Sequence, residues 1–493
     1  MQFNGRGILV RITMRKIYIL FTMMLLAFSM QAAGQSIRDE TVKIHLEVII
    51  NKGNSQLLGV GNTLEQEKQH GVVCEFGTNG SVISSYFFDI PNVSCFPNSL
   101  SVDNEGNIIL SGYFAVKKDT PLRDNEGFVA KLTPEGKVIW IRTWASPNTI
   151  EGESYSEYPY PKHRYLHTSE VVMGITTDKN GGIYAVGKVG GIVIFSSYGE
   201  EGGTMADGGP GASLVNYGPD GSLHWFHIWG DSGGLGALKV AADTSGNIFV
   251  TSMEKSASFY NFVLGDGYNT EARLSNFNSS GNLQWVRQWG GSGLCTAPGL
   301  VVDDEDNIYV GGVFEGTVDF DSGAGIDEHV ADGRGDSYLV KYRNSGEYCW
   351  VKTWGGPGVD DLHDICSNSR GEIYTVGNYT VSSDDEPSTS DRESGKSDYG
   401  QLLCKFDSDG NLQRTWDWKQ SKHDGASEVY AIEVDNEDAV YITGDFFGNL
   451  DFDPGEGVSI LEGGEKDKFS GFLCKLNSNG EFQWVRIPTL NGD

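Results

Sequence analysis

Positive charge is scarce in this 493-residue chain: 37 lysines and arginines stand against 67 aspartates and glutamates, a formal net charge of −30. A surface of that sign repels nucleic acid and anionic lipid, so neither is an expected partner. It suits solubility, a bound cation or a basic partner. Long apolar runs are scarce too. The longest is IYILFTMMLLAF (17–28), preceded by Arg6, Arg11, Arg15 and Lys16 and followed by small residues at Ala32–Gly34. That run is too short for an ordinary membrane helix, which takes about 20 residues. A basic flank, a short apolar core and small residues describe a secretory signal peptide over 1–34. Removing its four cations and no acid takes the formal charge from −30 to −34. The remainder, 35–493, reads as a single exported domain with no membrane span, periplasmic, secreted or held at the cell surface.

An even cysteine set is missing as well. Seven cysteines leave at least one unpaired in an exported monomer. Cys74, Cys404 and Cys474 recur in one context, VVCEF, LLCKF and FLCKL, and are expected to be buried thiols in a small apolar slot. No histidine motif of the serine-protease type occurs, and the twelve-residue calcium loop of an EF-hand is absent.

What the chain has in quantity is glycine, 66 residues, and repetition. One unit reads DNEGNIILSG (103–112), DKNGGIYAVG (178–187), DTSGNIFVTS (243–252), DDEDNIYVGG (303–312), NSRGEIYTVG (368–377) and DNEDAVYITG (435–444). A second follows each, as in SLVNYGPDGSLHWFHIW (213–229) and FLCKLNSNGEFQWVRI (472–487). A degenerate seventh copy leads the series at 51–88. Each period holds four short alternating segments separated by turn signals, the strand spacing of a four-stranded antiparallel blade. The fold class predicted is all-β, a seven-bladed β-propeller with four antiparallel strands, A to D, per blade, within about 42–488. The chain starts on strand A of blade one and ends on strand D of blade seven, so the ring is expected to close by side-chain packing without a shared strand.

The repeat decides the meaning of its parts. GDSGG (230–234) has the local sequence of a protease nucleophile, but WGDSGG aligns with WGGSGL (289–294) and WGGPGV (354–359). Ser232 therefore belongs to the turn leaving strand D. In WVRQW, Trp285, Arg287 and Trp289 fall on one side of a strand and are expected to pack blade against blade, the Arg stem over the rings.

The repeated D-x-x-G-N-I-Y-V-x-G, the K-[LFY]-x-x-x-G-x-x-x-W strand pair and the W-G-G turn resemble the bacterial seven-bladed β-propeller repeat family, related in pattern to NHL-type propellers. The resemblance spans nearly all of 35–493. It implies the propeller scaffold and no common catalytic residue.

Short A–B and C–D turns share one face of such a disc. The long B–C connections (188–211, 253–271, 313–336, 378–399, 445–470) and the long D–A connection (145–170) share the other, which is the expected binding face. Two B–C loops, GTVDFDSGAG (316–325) and GNLDFDPGEG (448–457), set Asp319 with Asp321 and Asp451 with Asp453 one residue apart before glycine. Such pairs offer oxygens to calcium; the alternative is an Asx turn. Tyr155, Tyr158, Tyr160 and Tyr165 in the D–A insert suit sugar stacking or a protein contact. Within GRGDS (333–337), Asp336 opens strand C, which argues against an adhesion signal. No repeated or convergent catalytic set is present. The function expected is a non-catalytic binding propeller for a protein or cell-surface glycan, with no cofactor beyond calcium. The alternative is an extracellular polysaccharide lyase or hydrolase, with His363, His423 and Tyr155 in the D–A connections as candidates. A cluster of His, Tyr and Arg at the channel favours the enzyme, and an aromatic patch favours binding.

Overall fold

The computed structural model describes residues 43–53, 56–65, 68–88, 93–116, 125–145, 170–198, 203–230, 236–255, 270–380, 399–419, 425–464 and 469–489. They form seven four-stranded antiparallel blades around a central axis, a β-propeller. Blade one is His45–Gly53, Gln56–Glu65, Lys68–Phe76 and Val82–Phe88; blade two is Val93–Val102, Ile108–Val116, Asn125–Leu132 and Val138–Ala145. Blade three is Val171–Thr177, Ile183–Ser197, Thr204–Tyr217 and Leu223–Trp229; blade four is Gly236–Ala242, Ile248–Lys255, Thr270–Phe277 and Leu283–Gly291. Blade five is Gly299–Val302, Ile308–Phe314, Asp336–Tyr342 and Tyr348–Trp354; blade six is Asp360–Ser367, Ile373–Thr380, Tyr399–Phe406 and Leu412–Lys419. Blade seven is Gly425–Val434, Val440–Asp451, Ser470–Leu476 and Phe482–Arg486. Each first strand also neighbours the first strands of the blades on either side, so the seven A strands ring the axis.

The sheets bury both faces, and the core lies between them as seven apolar clusters, one per blade interface. Each D strand is fastened to the C–D turn of the next blade. Trp285 donates its indole N–H to Asn344 O (3.2 Å), and Arg287 lies over that ring and donates to Gly346 O (2.6 Å). Trp289 is buried against Tyr338 and Tyr342. The indole covers Gly346 so closely that a Cβ there would stand 2.8 Å from it, and Gly346 holds φ at 80°. The same contact joins Tyr86 to Gly136, Trp140 to Gly221, Trp225 to Gly281, Trp350 to Gly410, Trp416 to Gly480 and Trp484 to Gly80. The last pair links blade seven to blade one, where Trp484 donates to Thr78 O (3.1 Å).

Ring closure uses no shared strand, as expected, but backbone bonds between the chain ends add to the side-chain packing. Blades one and seven each keep four strands of their own, and among the described residues the chain ends meet only as Lys43 bridging Thr489, with Ile44 N donating to Pro488 O (3.1 Å).

The long B–C connections that are described are hairpins, each leaning back on the preceding blade. Ile194–Ser197 pairs with Arg142–Ala145 of blade two. Val318 and Asp319 pair with Gly291 and Gly290 of blade four, and Phe452 O accepts from Trp418 Nε1 of blade six (2.9 Å). The first two pair with D-strand edges that would otherwise offer unpaired backbone groups.

All seven cysteines are free; Cys349 is half-buried and the other six are buried. Cys74, Cys404 and Cys474 fill core slots as the repeat predicted, and burial pushes the thiols of Cys74 and Cys404 up to about 12. Alkylation under native conditions should modify Cys349 first and leave the other six until the chain unfolds, a result read by peptide mass mapping.

A second prediction concerns the turns. Position four of the A–B turn takes either glycine (Gly246, φ 87°) or aspartate (Asp306, φ 61°), and at Gly246 the nearest atom to a Cβ is 4.0 Å away. Gly246→Ala should therefore cost only the backbone penalty, about 1 kcal/mol. Gly346→Ala adds about 1–3 kcal/mol of overpacking against Trp285. Urea denaturation of the two variants checks the difference.

Candidate functional site

Strand A of every blade carries a one-residue bulge at one position. The register slips between Leu46 and Val48, Pro97 and Ser99, Ala237 and Lys239, Leu362 and Asp364, and Val429 and Ala431. It slips across Met173 in blade three, and in blade five Pro298 stands between the pairs Cys295↔Phe314 and Gly299↔Gly311. The bulged residues are thus Glu47, Asn98, Met173, Leu238, Pro298, His363 and Tyr430. Each keeps accessible surface, whereas the residue before it is buried in all seven blades. A bulge re-aims one side chain out of the strand's alternation. On the innermost strand of a closed ring, the free direction is the axial channel.

Fifteen residues further on, near the end of strand B, each bulge has a companion: Asn62, Tyr113, Lys188, Met253, Val313, Asn378 and Asp445. Both positions lie toward the face that carries the B–C and D–A connections, so together they form the channel rim, with Asn62, Val313 and Asn378 buried behind the bulges. Asn62 hydrogen-bonds Glu47, Asn378 Nδ2 donates to His363 Nε2 (2.7 Å), and Tyr430 donates its hydroxyl to Asp445 (3.3 Å). His45 Nδ1 pairs with the other Asp445 oxygen at 2.9 Å. Phe96 stacks on Tyr113 with ring centroids 4.8 Å apart and 6° between planes. The rim is therefore polar and aromatic through blades six, seven, one and two, and apolar through Leu238, Met253, Pro298 and Val313 of blades four and five.

The channel is crossed just inside this rim. Lys239 of blade four reaches Asp364 of blade six at 3.2 Å, and Asp364 also accepts from Ile432 N of blade seven (3.2 Å). Blades four and six are not neighbours, so the ion pair spans the opening. Burial pushes the nearby Glu433 carboxyl up to about 7, with the Asp364 charge adding to it. Burial likewise raises Glu47, with Asp445 contributing.

The predicted residues fall differently. Asp319 Oδ1 accepts from the backbone N–H of Asp321 (3.1 Å) and Asp327 (2.9 Å), and Asp321 Oδ1 from Gly323 N (2.8 Å). Asp451 and Asp453 repeat that network with Asp453, Ser459 and Gly455. All four are thus engaged in Asx-type turns of the B–C hairpins. No group of three or more His, Cys, Asp or Glu suited to a metal occurs among the described residues. Asp336 is the first residue of strand C in blade five, as predicted. His363 lies within strand A of blade six rather than in a D–A connection, because that strand starts at Asp360. Tyr155, Tyr158, Tyr160, Tyr165, His423 and Ser232 lie outside the described residues.

The rim itself was missed by motif reading. Its signal is an inverse one: the position five before the A–B turn residue reads Asn, Met, Leu, Pro, His and Tyr in blades two to seven, while the residue before it stays apolar.

The His45–Asp445 hydrogen bond raises the imidazole above its ordinary 6.5, with burial opposing it. A raised folded value means stability that is complete below 6.5 and lost as pH rises through the folded value. Wild-type unfolding free energy should therefore fall more steeply between about pH 6 and 8 than that of Asp445→Asn. Parallel slopes in denaturant titrations across that range would contradict the assignment.

No family model and no curated protein matches the chain. Solved structures that align with it include a protein of unknown function from Dyadobacter fermentans DSM 18053, at 12% identity and TM-score 0.37 over 75% of this chain and 98% of that one. Polysaccharide lyase Uly1 aligns at 8% identity and TM-score 0.41 over 88% and 90%. The lignostilbene dioxygenase of Pseudomonas brassicacearum aligns at 12% identity and TM-score 0.39 over 92% and 93%. Similarities of this size assign neither a family nor an activity.

Proposed function

We propose that this chain is an exported, non-catalytic binding propeller that takes a neutral cell-surface glycan at the channel rim. The rim supports this reading: seven bulged positions on one scaffold carry seven different side chains, graded from polar and aromatic on one arc to apolar on the other. Sugars present hydroxyls around their edge and apolar C–H faces. Asp445, Glu47 and His363 suit the former, and the Phe96–Tyr113 stack suits the latter. The excess of acids disfavours a polyanionic glycan.

The fourteen rim positions hold no arginine and a single lysine, Lys188 of blade three, and Lys239, which reaches blade six beside His363, is already paired with Asp364. A lyase needs a base beside a charge-neutralising cation, so the arrangement favours binding over bond cleavage. The export step rests on the basic and apolar pattern of 1–34.

The test uses residues 35–493 with a panel of neutral and acidic polysaccharides, followed by size exclusion with light scattering and by calorimetry. Co-elution with a neutral polymer of unchanged mass is expected. Tyr430→Phe combined with His363→Ala should weaken it about tenfold or more, the effect of losing two hydrogen bonds. Shortening of any polymer would instead establish an enzyme, and no glycan binding across the panel would move the assignment to a protein partner.

A further inference from the structure

Two of the B–C hairpins end in an open strand edge. In blade five Thr317–Asp319 pairs with Glu328–Val330, and in blade seven residues 449–451 pair with Ile460–Glu462. Phe320 N donates to Asp327 O (3.0 Å) and Ala331 N to Gly316 O (2.8 Å). Antiparallel pairing alternates, so Glu328 and Val330 turn their N–H and C=O groups away from the hairpin. Phe452 N to Ser459 O (3.0 Å) and Gly463 N to Gly448 O (2.7 Å) impose the same on Ile460 and Glu462. Glu328–Val330 ends its sheet, and Ile460–Glu462 pairs only with the strand beside it. Among the described residues, no strand meets either outer edge.

Both edges are also apolar. The four most exposed large apolar side chains among the described residues are Ile326 (81%), Val458 (74%), Val330 (67%) and Ile460 (64%). All four stand on these two strands or two residues before them. Single exposed apolar residues are ordinary, but the same placement in two blades is a repeated surface. The opposite side of each hairpin is anchored. Phe320 and Phe452 are buried, His329 hydrogen-bonds Thr353 (2.9 Å), and Leu461 packs against the core between blades six and seven. Open edges are commonly blunted by lysine or proline. Neither occurs in Glu328–Val330 or Ile460–Glu462.

Charge selects what can pair there. Residues 316–331 carry four acids and no lysine or arginine, and residues 448–464 do the same. Edges of one sign repel each other, so a second copy of this chain is a poor occupant. We propose that these edges take an extended, basic segment of a partner protein as an added strand. Its backbone pairs with Glu328 and Val330 or with Ile460 and Glu462. Its aliphatic side chains cover the exposed isoleucines and valines, and its lysines or arginines meet the acids. The hairpins rest on D strands, the outermost of each blade, so this surface acts independently of any ligand at the rim.

The experiment uses residues 35–493 and a dye-labelled, end-capped peptide of about eight residues alternating lysine with valine, followed by fluorescence anisotropy. Saturable binding is expected, and a glutamate–valine peptide should not bind. Val330→Pro with Ile460→Pro removes one outward N–H from each edge, where proline is tolerated, and should weaken the peptide about fivefold. If that variant does not fold, Ile326→Ser with Val458→Ser serves, with an expected loss of about threefold or more. Unchanged affinity in the folded variant overturns the site. So does equal binding of the fully N-methylated lysine–valine peptide, which would mean adsorption to the acidic surface. Absence of binding by the unmodified peptide overturns it too. Self-association of the wild type that the two prolines abolish would assign the edges to a second copy instead.

Discussion

The contact on which the ring depends is an aromatic ring lying flat on a glycine of the next blade. It recurs at all seven interfaces, from Tyr86 on Gly136 round to Trp484 on Gly80. Two demands meet in that glycine. The C–D turn needs a backbone at φ near 80°, and the aromatic leaves no room for a Cβ. The A–B turn has the first demand without an aromatic ring over it, and there aspartate replaces glycine at 306 and 438. The difference explains why one turn glycine is kept in every copy and the other is not. Each contact also sets the angle between neighbouring blades, so seven copies repeated head to tail close a circle by geometry alone.

A scaffold fastened along its outer strands leaves the inner strands free to vary at one place. Asx turns end strand A rigidly: Asp243 holds Ser245 N and Asn247 N at 2.9 and 2.7 Å, and Asp303 holds Glu305 N and Asn307 N at 3.0 and 2.8 Å. Five residues earlier comes the bulge. Because the bulged residue is unpaired with strand B and clear of both blade interfaces, its side chain bears little of the packing. Glutamate, methionine, proline and tyrosine can therefore occupy equivalent positions in one ring. The narrow-turn face thus carries closure, while the bulged positions are left free to vary.

That division also explains what was legible in the sequence. Strand number, blade number and the role of Trp285 and Arg287 all rest on residues that repeat, and repetition is visible in one chain. The burial of Cys74, Cys404 and Cys474 was visible for the same reason. The rim was not, because alignment of copies draws attention to what stays the same, and the bulge is where they differ. The B–C connections were misleading in another way. Their length suggested free recognition loops, yet in blades three, five and seven they are hairpins seated on the preceding D strand. Length cannot distinguish an insertion that reaches out from one that folds back. The DFD pairs belong to this second kind: Phe320 and Phe452 are buried, and the flanking aspartates hold the turn that puts them there.

The seam between blades seven and one shows how the rim and the closure meet. Six interfaces have a peptide connection across them; this one is held by side chains and by the chain ends. Asn51 donates to Val434 O, Thr443 to Leu46 O and Lys43 to Ser470, in addition to the Trp484 contact. His45 and Glu47 come from the start of the fold, whereas Tyr430 and Asp445 come from its end, some 400 residues away in the case of His45 and Asp445. The most polar arc of the rim is therefore built across the seam. A ligand that touches both sides must favour the closed ring over any state in which the seam has parted, because only the closed ring presents both halves. Binding at this arc and integrity of the propeller are then one equilibrium, and a polar rim placed anywhere else on the ring would not couple them.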